Sequence, residues 1–196
     1  EQRGCSLTQL PLEAYEALSP AFGADLFEAL SFEASVDAHS ATGGTALSAV
    51  REQIDGIDLA TPVYPNPLWS ARDVLIHCAF WNDESTRAIE AHRRGESYVT
   101  DTGAATFDEG LDAMNQRVIE SSRSLSEDEV RRRWIAAQDR FAEAVRTLDD
   151  AALSREITCP WTQRKPVTEM VQDELDHETE HIHDVITAAS SQEGPR

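Results

Sequence analysis

Asp176-His177-Glu178-Thr179-Glu180-His181 is the stretch on which the reading of this chain turns. Its two histidines stand four residues apart, inside a longer run from Thr168 that repeats Met170, Val171, Leu175, Ile182, Val185 and Ile186 at helical spacing. Positions i and i+4 of a helix share a face about one turn apart, so both imidazoles can hold one metal ion. A third ligand has to come from another element. His77 is the candidate, because it lies in the other strongly periodic stretch, residues 70–94, with Asp73 one turn before it and Trp81 one turn after. The expectation is a helical bundle carrying a three-histidine metal site.

Further out, caps and stripes mark the remaining helices. Ser70 followed by Asp73 has the form of a capping box, and Gly95 stops that helix with His92, Arg93 and Arg94 in its last turn, where they complement the dipole. A polar loop through Gly103 leads to a helix over 106–122, with Phe107, Leu111, Met114, Val118 and Ile119 in one stripe. Ser126 with Glu129 reads as the next N-cap, and Val130, Trp134, Ala137, Phe141, Val145 and Leu148 carry the stripe on, in one bent helix or two. The link 154–166 holds Cys159-Pro160-Trp161 and cannot be continuous helix. Thr168 is the expected cap of the last helix, and residues 190–196 are expected to be a disordered polar tail. No stretch alternates convincingly with strand period, so the chain reads as all-α with antiparallel neighbours. Residues 1–55 hold only short helical pieces, at 12–18, 24–30 and 45–54, broken by Pro11, Pro20, Gly23 and Gly43-Gly44. The irregular link Thr61-Pro62-Val63-Tyr64-Pro65-Asn66-Pro67 separates them from the long helices, and 45–54 is the candidate first helix of a four-helix bundle.

Composition excludes several classes. Seventeen basic against 36 acidic residues give a net charge of −19, which repels polyanions, so neither nucleic acid nor an anionic membrane is an expected partner. No run approaches the roughly 18 apolar residues of a membrane span, and no secretory signal opens the chain. Cys5, Cys78 and Cys159 are odd in number and widely spaced, as in a reducing compartment; a cytoplasmic location is expected. Cys78, within Val74-Leu75-Ile76-His77-Cys78-Ala79-Phe80-Trp81, reads as a small buried side chain. The chain opens on Glu1 rather than methionine, which suits a processed product or a piece of a longer polypeptide.

Two resemblances follow. Trp69-Ser70-Ala71-Arg72-Asp73-Val74-Leu75-Ile76-His77, the link Cys159-Pro160-Trp161, and Asp173-Glu174-Leu175-Asp176-His177-Glu178-Thr179-Glu180-His181 resemble, in that order and spacing, the DinB/YfiT-like superfamily of metalloenzymes. The resemblance covers about residues 55–189 and implies an up-down-down-up four-helix bundle. It also implies a divalent metal such as zinc or nickel, held here by His77, His177 and His181. The second resemblance covers about residues 7–55. Leu18-Ser19-Pro20-Ala21-Phe22-Gly23-Ala24-Asp25, Glu33-Ala34-Ser35-Val36, and Gly43-Gly44-Thr45-Ala46 with Val50-Arg51-Glu52-Gln53 look like the C-terminal end of argininosuccinate lyase, without that enzyme's catalytic segments. The domains implied are a lyase-like tail over 1–55 and a bundle over 56–189, with 45–55 serving as the bundle's first helix.

Three neutral imidazoles leave an ion its full charge and an open position, which suits activation of a water or a thiol. Closed structural zinc sites normally use four protein ligands, so a three-histidine site points to catalysis. By resemblance the chemistry is thiol-dependent transfer or isomerisation, or hydrolysis, on a small electrophilic molecule, with a low-molecular-weight thiol as a candidate cofactor. Carboxylates one turn from the ligands are the natural partners that fix ring orientation: Asp73, Glu84, Asp173 and Glu178 are the candidates, each competing with membership of a solvated acidic face. Trp81 and Trp161 are candidate pocket walls, against core packing as the plainer role. His39 and His92 read as hydrogen-bonded boundary residues, and His183, two residues past His181, as exposed. Two alternatives stand beside the enzyme. One is a non-catalytic module that pairs as a homodimer through bundle helices; the other is a fragment of a lyase fusion in arginine biosynthesis.

Overall fold

The computed structural model describes residues 11–17 and 47–192, and the chain falls into two units, 1–56 and 57–196. In the first unit, α1 (Leu12–Glu16) and α2 (Leu47–Asp55) are helical, close to two of the expected pieces. The expected helix over 24–30 and His39 lie outside the described residues.

The second unit opens with an antiparallel hairpin, β1 (Pro62–Pro65) and β2 (Leu68–Ser70), and continues directly into α3 (Ala71–Arg93). Then come α4 (Phe107–Ser121), α5 (Glu127–Arg146) and the short α6 (Asp150–Leu153). A second hairpin, β3 (Glu156–Thr158) with β4 (Arg164–Pro166), delivers the chain into α7 (Val167–Gln192). The architecture is all-α, as the periodicity predicts. The hairpins are the departure, because strands of three or four residues hold too little alternation to be read.

Helices start where their caps stand. The Asp73 carboxylate accepts from the Ser70 N–H and hydroxyl, both at 2.9 Å, and Thr106 with Glu109 and Ser126 with Glu129 complete two more capping boxes. The turn between the last two separates α4 from α5, so they are two helices. α3 ends at Arg93, with Gly95 in the left-handed region at φ +73°. α7 departs from expectation at both ends. It begins at Val167, so Thr168 is inside the helix rather than its cap; the Val167 N–H bonds the Arg155 carbonyl at 3.0 Å, so the neighbouring hairpin satisfies what a side chain would otherwise cap. It also runs through Ser190 and Ser191, whose hydroxyls bond back to Ile186 and Thr187 carbonyls, where a disordered tail is the sequence expectation.

α3 is the central element, packed against α4, α5, α7 and both hairpins. Its buried residues occupy every side, and they include His77, Asn82, Glu84, Ser85 and Thr86. Apolar packing surrounds them: Ala88 and Ile89 of α3 meet Phe141 and Ala144 of α5, Ile157 and Cys159 of the second hairpin, and Val167, Met170 and Val171 of α7. Buried polar groups on a central helix must find partners, and those partners decide where the loops lie. Glu84 accepts from Tyr98 Oη at 2.7 Å and Thr100 Oγ1 at 2.6 Å, pinning the long loop after α3, while the Thr100 N–H bonds the Pro160 carbonyl at 3.0 Å. Gly110 completes the seat. A Cβ there would lie 2.3 Å from Thr102 Oγ1, so the loop can rest on α4 only over a glycine.

Candidate metal centre

α3 carries His77 seven residues past its N-cap Ser70, and α7 carries His177 and His181 one turn apart. Packing of α3 on α7 brings the three rings together. His77 Nε2 and His181 Nε2 each lie 3.1 Å from His177 Nε2, and the three ligand atoms all lie within 4.8 Å of one another. Ring centroids are 5.1 Å apart for His77 and His177, 4.9 Å for His77 and His181, and 4.6 Å for His177 and His181. Metal–nitrogen bonds of about 2.0–2.1 Å in tetrahedral geometry place neighbouring nitrogens roughly 3.3 Å apart, within a few tenths of the two separations of 3.1 Å that His177 Nε2 makes. The donor set fits a divalent ion.

The protein also keeps His77 and His181 in the form a metal requires. Burial, then the charges His177 and His181 would carry, hold the His77 pKa well below the usual imidazole range. Burial, then His177, lowers His181 to about 4. Both rings are therefore neutral at pH 7, with lone pairs free to bind.

Each ring has a neighbour on its far side. His181 Nδ1 lies 2.8 Å from Tyr64 Oη, which donates to Asp184 Oδ2 at 2.6 Å. Burial first, then the Asp184 hydrogen bond, pushes the Tyr64 pKa upward, so the phenol keeps its proton. Asn115 of α4 approaches His77 closely enough to raise its pKa somewhat, although its Oδ1 has no hydrogen-bond partner among the described residues. His177 Nδ1 lies 3.9 Å from Oε1 of Glu174, a carboxylate 2% exposed whose other oxygen accepts from Ser85 Oγ at 3.0 Å. Oε1 itself has no hydrogen-bond partner among the described residues.

Aromatic rings wall the site. Trp81 stands 6.3 Å from His77 and 6.5 Å from His177, with Trp161 6.4 Å and Phe107 6.1 Å beyond it. Trp69 covers His77 at 5.0 Å and Tyr64 covers His181 at 5.8 Å.

Sequence reasoning thus finds residues the structure brings together in His77, His177, His181, Trp81 and Trp161. Its carboxylates go elsewhere. Asp73 is used by the α3 cap, Glu84 by the loop, and Asp173 pairs with Lys165. Glu178 turns into the core, where it accepts from Trp134 Nε1 at 2.5 Å, Gln138 at 2.9 Å and Asn82 at 3.0 Å. One residue along a helix is about 100° of rotation, which takes Glu178 off the face of His177. Glu174 and Asp184, each three residues from a ligand, face the rings instead, a spacing legible in the sequence. Tyr64 and Asn115 carry no such signal, because a hairpin and a different helix supply them. His183 is exposed, as expected.

Fold and site together define a helical bundle with a three-histidine candidate metal centre. The sequence profile of the mycothiol maleylpyruvate isomerase N-terminal domain family matches residues 40–185, and the chain belongs to that DinB-like family. The match begins upstream of α2 and so includes it. Among curated proteins the similarity is to argininosuccinate lyases. That of Acidobacterium capsulatum is 37% identical over 59 residues, covering 30% of this chain and 12% of the lyase. Those of Saccharomyces paradoxus and Bordetella avium are 45% and 47% identical over 51 and 53 residues, covering 26% and 27% of this chain and 11% of each lyase. The chain thus spans about a tenth of the length of these relatives. No solved structure matches. No helix among the described residues is long and apolar enough to cross a membrane.

Proposed function

We propose that this protein is a divalent-metal-dependent enzyme that acts on a small electrophilic molecule, with a low-molecular-weight thiol as its co-substrate. The observation that carries the reading is the convergence of three imidazole nitrogens, from buried His77 and half-buried His177 and His181, beside an aromatic wall. Zinc or nickel is the ion of choice for an all-imidazole set. When bound, such an ion supplies a concentrated positive charge that lowers the pKa of a thiol or a water. The chain's own residues do the rest. Three rings hold the centre from two helices, so its geometry is set by the packing of α3 on α7. Trp161 and Phe107, both half-buried and packed on the buried Trp81, are the apolar side chains against which a substrate at the centre would rest. The family name, with mycothiol in it, supports a thiol rather than water as the activated group.

The deciding experiment is elemental analysis of protein purified without chelator, with His77→Ala and His177→Ala alongside. About one divalent ion per chain, lost in both variants, supports the reading, and turnover of electrophiles with and without thiol then separates transfer from hydrolysis. An absence of metal even after incubation with zinc, nickel or manganese leaves the chain as a helical interaction module, with homodimerisation the property to measure.

The lyase similarity favours a second, compatible reading for residues 1–55: a lyase C-terminal tail joined to the bundle in a longer polypeptide. The upstream coding sequence tests it, since a lyase fusion requires the remaining lyase segments in the same reading frame.

A further inference from the structure

The β1–β2 hairpin does more than lead into α3. Its register breaks between Pro62 and Tyr64: Pro62 pairs with Ser70 but Tyr64 pairs with Trp69, so one strand carries an extra residue. Such a bulge re-aims side chains. Here it sets Tyr64 and Trp69 side by side, ring centroids 6.1 Å apart, one against His181 and the other against His77.

Tyr64 Oη has one proton and two partners. Asp184 Oδ2, at 2.6 Å, only accepts. The phenolic proton therefore goes to the carboxylate, and the contact with His181 Nδ1 at 2.8 Å is a hydrogen bond only if the imidazole donates it. A neutral imidazole has a single N–H, so a donor at Nδ1 leaves Nε2 bare, and Nε2 is the atom that lies 3.1 Å from His177 Nε2. We propose that Tyr64, anchored by Asp184, is a positioning residue that holds His181 in its Nδ1–H tautomer and aims the Nε2 lone pair at the metal centre. A segment that reads in the sequence as an irregular link thereby becomes part of the site.

The tautomer can be read without metal, whereas the affinity below rests on the metal reading above. In metal-free protein with 15N-labelled histidine, long-range proton–nitrogen correlation should show His181 protonated at Nδ1 and bare at Nε2. Tyr64→Phe, which keeps the ring against Trp69, should abolish that preference with the circular dichroism spectrum unchanged. Zinc affinity, measured by competition with a chromophoric chelator, should fall about 10–100-fold in Tyr64→Phe and in Asp184→Ala. The double variant should be no weaker than either single one, because both changes break one relay. A His181 protonated at Nε2 in the wild type, or a tautomer indifferent to Tyr64→Phe, overturns the proposal. Wild-type protein that shows the Tyr64-dependent tautomer yet binds no zinc upholds the positioning role and defeats the metal reading.

Discussion

Trp134 and Glu178 show how far a single side chain reaches in this fold. Glu178 is 7% exposed and accepts hydrogen bonds from three side chains, Asn82 on α3 and Trp134 and Gln138 on α5, so one carboxylate ties α7 to both neighbours. Burial raises its pKa while those three donors oppose the rise. Glu178→Ala takes an acceptor from all three; Asn82 Nδ2 keeps its bond to the Cys78 carbonyl, but Trp134 Nε1 loses its bond to the carboxylate, so at about 1–3 kcal/mol for a buried group left unpaired the expected loss is about 1–3 kcal/mol by urea titration. Cys78 and Cys159 behave oppositely, as inert packing. Cys78 and Cys159 are both 0% exposed; burial, then Glu178 and Glu174, pushes the Cys78 thiol up, and burial takes Cys159 to about 11. At pH 8 both are protonated and covered. Iodoacetamide should therefore modify neither in the native protein and both after unfolding, as read by peptide mass spectrometry.

α3, α4 and α5 start where their caps place them, and the connections are held by groups propensity says nothing about. Glu84 binds the loop after α3 through Tyr98 and Thr100, and Gly110 lets that loop lie on α4. In an exposed helix interior, replacing glycine by alanine gains roughly 1 kcal/mol. At Gly110 the sign should reverse, because the new methyl would sit 2.5 Å from Thr102 Cβ as well as 2.9 Å from Ala104 Cβ. Gly110→Ala is expected to lower Tm and speed amide exchange across residues 98–104; an unchanged or higher Tm would show that the loop gives way freely. The capping boxes at Ser70 and Ser126 were legible because their residues are local. The hairpins were not, because each strand exists only through its partner.

For the whole molecule, stability and site are separable. Apolar residues of α3, α5, α7 and the second hairpin form a core cluster that includes none of the three histidines. His181→Ala should therefore abolish metal retention, measured by elemental analysis, while the metal-free protein shifts in Tm by no more than roughly 4 °C, the effect of about 1 kcal/mol in a chain of this size. Unfolding of that variant would show instead that the site holds the bundle together. The net charge of −19, the all-α class, the long helices of the second unit and the His177/His181 pair on one face followed from the sequence alone, since composition and helical period are local properties. That His77 meets the pair depended on how α3 packs on α7, and periodicity does not encode that register. The neighbours of the rings were a tertiary matter too. Four acidic candidates near the ligands turned out to serve a cap, a loop, a lysine and the core, and Tyr64 and Asn115, from a hairpin and another helix, took their places beside the rings. A helix determines which side chains share a face; only packing determines what that face meets.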